Sequence, residues 1–127
     1  AESVYAYDYD IETGTIANKR VFISTEGLPG RADGATVDTD GNYWFAHIHG
    51  SKILKYDPNG KCVQEIDVPV IQPTMCSFGG DDLDVLYVVS ATRFMQPGDE
   101  TRQPLAGSLF AITGLGAQGI PEPLFAG

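Results

Sequence analysis

The chain has 127 residues, enough for one domain with its own core. Seventeen acidic residues against 8 basic ones give a net charge of −9, and no basic run is present that would neutralise a row of phosphates, so a nucleic-acid partner is not expected. No apolar run reaches bilayer-spanning length and the first residues carry no signal-peptide progression, while Cys62 and Cys76 lack the spacing of a metal site and are too few for a disulfide framework; packed thiols, a reducing cytoplasmic setting and no membrane partner are expected.

Short segments of alternating apolar and polar residues, broken by Asp, Asn, Gly and Pro, govern the whole length and predict an all-β chain. Ser3–Asp8 and Arg20–Ser24 read as a hairpin turning through Asp8 to Gly14. Gly34–Asp38, Tyr43–His47, Lys52–Tyr56 and Cys62–Asp67 follow as a four-stranded meander, linked by Thr39-Asp-Gly-Asn42, His49-Gly-Ser51 and Asp57-Pro-Asn-Gly60. The pattern then recurs in Thr74–Phe78, Val85–Ser90, Ser108–Thr113 and Glu122–Phe125, with Trp44 matching Tyr87.

Four short strands with tight turns, repeated at this spacing, are the signature of propeller blades. The expected organisation is a single partial β-propeller over 1–127: the second half of one blade at 1–24, a full blade at 33–69 and another at 73–127. An unclosed array leaves edges and faces bare, and self-association or a chain supplying the missing blades is the expected cover. Tyr5, Tyr7, Phe22, Trp44, Tyr56, Phe78, Tyr87 and Phe110 recur at equivalent slots and are expected to pack between blades.

In such an array the connections 26–33, 48–51, 68–73 and 91–107 share one face, and long irregular connections at a channel mouth are where function concentrates. Asp33 stands there immediately before a strand, where its carboxylate would be rigidly held. His47 and His49 flank the turn after the Trp44 strand and are candidates to approach the same mouth. Arg93 lies on the longest connection, placed to meet a substrate oxygen. Asp81, Asp82 and Asp84 fall on the opposite face and read as turn formers.

Six ordered motifs, Tyr7-Asp-Tyr-Asp-Ile-Glu-Thr-Gly14, Asn18-Lys-Arg-Val-Phe22, Arg31-Ala-Asp-Gly-Ala-Thr-Val-Asp38, Tyr43-Trp-Phe-Ala46, Gln72-Pro-Thr-Met-Cys-Ser-Phe-Gly-Gly80 and Leu86-Tyr-Val-Val-Ser-Ala91, resemble the C-terminal part of the senescence marker protein/regucalcin/gluconolactonase family. The resemblance implies a six-bladed propeller with one divalent cation held by Glu, Asn and Asp from different blades, polarising the carbonyl of a sugar lactone for attack by water. It places the family's Asp ligand on Asp33, with Ala32 where the family has Pro, and makes Asp33 the general base. A carboxylate oxygen suits Ca²⁺ foremost, and Mg²⁺, Mn²⁺ or Zn²⁺ as well. The family's Glu and Asn ligands belong to blades that this sequence does not contain. The expected function is therefore a metal-dependent sugar-lactone hydrolase or a portion of one, against the alternative of a non-catalytic, self-associating binding module.

Overall fold

The computed structural model describes residues 2–126; Ala1 and Gly127, the outermost positions of the expected first and last segments, lie outside the described residues. Among the described residues nine strands form three separate antiparallel sheets. In the first, β1 (Ser3–Asp10) pairs with β2 (Thr15–Ser24). The second runs in the order β3 (Arg31–Val37), β4 (Tyr43–Ile48), β5 (Lys52–Tyr56) and β6 (Cys62–Asp67). The third holds β7 (Pro73–Gly79), β8 (Val85–Ser90) and β9 (Leu109–Ile112), with one short helix, α1 (Asp99–Arg102), in the β8–β9 connection.

The turns show why these strands end where they do. Asp38 Oδ1 accepts the backbone N–H of Asp40 and of Asn42 at 3.0 and 2.9 Å, and Gly41 closes the turn with φ 81°. Asp57 repeats the device on Asn59 and Lys61, both at 2.9 Å, with Gly60 at φ 80°. An Asp that satisfies two backbone donors, followed by a residue free to adopt positive φ, stops one strand and starts the next in register. The β1–β2 turn is built in the same way on Asp10, whose carbonyl receives the N–H of Gly14. The hairpin is thus longer than the sequence suggests, with the turn confined to the residues after Asp10 and β2 beginning at Thr15 rather than near Arg20.

β4 is the spine. It is buried on both faces: Trp44 and Ala46 look toward β7 and β8, in a cluster with Ile53, Val70, Cys76, Leu86 and Val88, whereas Phe45 looks the other way toward Ile23 of β2, with Leu54 and Tyr56. Trp44 meets the Phe78 ring edge-on at 5.6 Å and Phe45 stacks on Tyr56 at 5.6 Å. The side-chain period of 2 therefore sends alternate β4 residues into two different cores, one on each neighbouring sheet.

Two expectations are corrected here. No strand forms over Glu122–Phe125: Pro121 and Pro123 remove the backbone donors on either side of Glu122, and Leu124 and Phe125 are each 94% exposed. Among the aromatic residues, Trp44, Tyr56, Phe22, Phe78 and Phe110 do pack between or within the sheets, but Tyr5, Tyr7 and Tyr87 lie on open surface. Lys19 covers Tyr5, its Nζ 3.9 Å from the ring centre.

Candidate functional site

Asp33 sits inside β3 rather than ahead of it, at a break in the ladder. Ala32 pairs with His47 and Ala35 with Phe45, so two residues of β3, Asp33 and Gly34, stand against the single Ala46 of β4. This is a β-bulge, the device that re-aims one side chain out of the regular alternation. Gly34 is required beside it: a Cβ there would fall 2.2 Å from Met75 Sδ and 2.7 Å from the Thr74 carbonyl of β7. The backbone of β3 thus lies tight against the neighbouring sheet at Gly34, and Asp33 beside it is exposed.

The remaining candidates do not gather around it. His47, on the same β4 face as Phe45, is 3% exposed and meets the Phe45 ring edge-on at 6.2 Å. His49, two residues on, lies beyond the strand end with φ 64°, so the alternation is broken and its ring is exposed beside Gly30, Arg31 and Glu2. Arg93 is exposed on the long connection, its guanidinium 4.7 Å over the Phe94 ring. That connection is tied down: the Gln72 side chain donates to the Arg93 carbonyl, and the Ile71 N–H donates to Gln103 Oε1 at 3.0 Å. It lies along the β6–β7 connection, leaving a groove of about 380 Å³ lined by Ser51, Val68, Ile71, Asp99 and Arg102.

Tested as a cation site, the described residues fall short. Among them no group of three or more His, Cys, Asp or Glu side chains comes together to hold a metal ion. Asp33 supplies one oxygen donor group, and a hard cation such as calcium needs about six to eight oxygens.

Two further residues are buried more deeply than any of the candidates, His47 included. Asp38 is 1% exposed; beyond its two backbone donors it accepts the Trp44 indole N–H at 2.8 Å and the Asn42 side chain at 2.9 Å, with Lys55 Nζ 3.8 Å away. Burial pushes its pKa up, but these hydrogen bonds and the Lys55 charge more than reverse that and hold it below the ordinary carboxylate value. This carboxylate is fully engaged in structure. The sequence signal for it was the Asp-Thr-Asp-Gly-Asn turn followed two residues later by Trp44. Cys76 is also buried, and its burial pushes the thiol up to about 12, which leaves it unreactive; Cys62 is a second free thiol, half-buried.

Comparison with known proteins places this geometry in context. Residues 1–92 match the model of the SMP-30/Gluconolactonase/LRE-like region. Over 128 residues the sequence is 42% identical to regucalcin of Oryctolagus cuniculus, covering 100% of this chain and 43% of that protein. Regucalcin of Gallus gallus is 44% identical over 126 residues, covering 98% of this chain and 42% of its own length. Among solved structures, a calcium-binding protein, regucalcin, from Agrobacterium tumefaciens superposes with a TM-score of 0.90 at 30% identity, over 97% of this chain and 42% of that one. A luciferin-regenerating enzyme superposes at 0.83 with 33% identity, over 94% and 40%. The three open sheets are a partial β-propeller, and the chain spans less than half the length of the relatives it matches. Among the described residues no helix is long and apolar enough to cross a membrane.

Proposed function

We propose, from the premise that this chain belongs to the SMP-30/gluconolactonase/LRE-like family, that it is a portion of a metal-dependent sugar-lactone hydrolase in which Asp33 is a cation ligand and the general base. The observation that carries this reading is the bulge at Asp33 and Gly34. It holds an exposed carboxylate on a backbone fixed against β7, where a proton acceptor keeps its geometry. In the reaction, Asp33 takes a proton from the water that attacks the lactone carbonyl; the ring C–O bond breaks, its oxygen is protonated, and an aldonic acid leaves. His49 and Arg93, exposed but not gathered at Asp33, take no part in this step. His47 is buried away from that surface.

One carboxylate does not complete a cation site, so the other donors come from outside this copy of the 127 residues, from further chain or from residues of a second copy. The cation is a hard divalent ion, calcium first. The want of nearby donors around Asp33 supports a second reading, a non-catalytic module that binds through its open edges.

Gluconolactone hydrolysis followed with and without chelator, alongside native mass spectrometry, separates the two. The lactonase reading expects chelator-sensitive turnover only in species heavier than one chain, and its loss in Asp33→Ala. Full turnover in Asp33→Ala overturns the role of Asp33. Metal-loaded assemblies without any turnover favour the binding module.

A further inference from the structure

The stack of three sheets ends in two uncovered faces. In the first sheet Val4 and Ile23 turn toward the middle sheet, so the strand alternation sends Tyr5, Tyr7 and Tyr9 the other way. Val21 joins them as the cross-strand partner of Tyr5, and Ile16 as that of Tyr9. These five side chains are between 39% and 65% exposed. In the third sheet Leu86, Val88, Phe110 and Ile112 pack inward. Tyr87, Val89 and Leu109 therefore point outward, between 38% and 63% exposed, with Val89 and Leu109 as cross-strand partners. Lys19 stands over the Tyr5 ring on the first face. The outward positions of the third, Ser77, Tyr87, Val89, Leu109 and Ala111, carry no charge. A chain of net charge −9 can thus bring the two faces together without setting carboxylate against carboxylate.

We propose that the outward face of the third sheet docks on the outward face of the first sheet of a second copy, and that two copies close head to tail into a ring of six sheets. The chain already covers such faces in this way, since the middle sheet buries alternate β4 residues against each of its neighbours. A contact between two different faces either closes into a ring or runs on as an open filament. Sheets stacked around a channel close at about four to eight. One copy has three and falls short, two supply six, and three would bring nine. Two copies also approach the length of one relative, of which this chain spans 42–43%. The two-fold axis of the ring runs down its channel, lined by β3 and β7, the first strands of their sheets, which meet at Gly34. Rotation about that axis keeps both Asp33 residues at the same end of the channel, a second carboxylate where the lactonase reading lacks donors. The association itself does not rest on that reading.

Native mass spectrometry and light scattering on the unaltered chain over about 1 to 100 µM should show a mass that rises to twice that of the chain and stops there. Ile16→Lys on the first sheet and Leu109→Glu on the third each alter one side of the same contact. Each variant alone should stay at monomer mass with its urea midpoint unchanged. Mixed in equal amounts, the two should recover the two-chain mass, because a mixed pair keeps one contact untouched and sets opposite charges in the other. A constant monomer mass, growth beyond two chains, association that either variant leaves intact, or no recovery on mixing would each overturn the proposal. The mass of the unaltered chain decides between ring, filament and monomer even where a variant does not fold.

Discussion

Asp38 and His47 are buried at opposite ends of β4, and burial acts on them in opposite directions. Folding surrounds Asp38 with donors, and its carboxyl stays below the ordinary value of 3.8 despite desolvation. Folding gives His47 a dry slot instead: burial pulls its pKa below the ordinary 6.5, Lys52 pushes the same way, and the Gly30 backbone and Glu65 offset only part of this. The consequences for stability differ in pH window. For His47 the unfolded ring takes up a proton near 6.5 that the folded ring refuses, so its contribution is whole above that pH and falls as pH drops below it. For Asp38 the contribution is whole above 3.8 and is lost as pH falls through the lower folded value. Urea midpoints measured from about pH 8 down to about pH 5 should fall below 6.5 in the unaltered chain and stay flat in His47→Phe. An equally steep decline in the variant would assign the effect to other groups. His47 as a residue of interest was legible in the sequence, but its environment was not. The register that pairs it with Ala32, and the two glycines that admit its ring, emerge only once β3 and the following turn are folded around β4.

At the scale of elements, the strands of the middle sheet were readable because each is bounded by a turn whose Asp and Gly have a backbone task. The bulge in β3 was not. Inserting one residue into one strand changes which side chain faces out, yet leaves the local run Arg31-Ala-Asp-Gly-Ala-Thr-Val looking like any half-buried strand. The same limit hid the true length of the β1–β2 hairpin, whose polar outer half carries little alternation, and the helical turn at Asp99–Arg102, too short for periodicity to register. Gly34 tests how far the Asp33 site depends on the contact between sheets. Its backbone conformation is open to other residues, so Gly34→Ala costs nothing in φ; the added methyl instead meets Met75 Sδ and the Thr74 carbonyl. Overpacking of this kind costs about 1–3 kcal/mol, and the carbonyl cannot give way as a side chain can. Gly34→Ala should therefore lower the urea midpoint, and Gly79→Ala, where φ is likewise not positive and the methyl would meet only the exposed Tyr87 ring at 3.0 Å, should lower it less. Equal effects would mean that β3 and β7 separate easily and that Asp33 is not rigidly placed.

The whole molecule presents two raw ends. Each of the three sheets has two outer strands paired on one side only, β1 and β2, β3 and β6, β7 and β9, which leaves six unpaired strand edges among the described residues. On the hairpin face, Tyr9 and Ile16 are cross-strand partners and remain 65% and 63% exposed. Exposed apolar pairs beside a free edge are what proteins ordinarily cover, blunt with charge or abolish by closing a ring. The relatives, of which this chain spans 42–43%, have more chain with which to do so. Alone, these 127 residues have only each other, and the edge of one copy offers donors and acceptors to the edge of the next. Light scattering over about 1 to 100 µM should show a mass that rises with concentration. Ile16→Lys places a charge on the hairpin face without touching either buried cluster, and it should return the chain to a monomer with its urea midpoint unchanged. A constant monomer mass across the range would show that the edges are passive. Asp33 could then find its missing cation donors only in further chain of the same polypeptide or in a different partner.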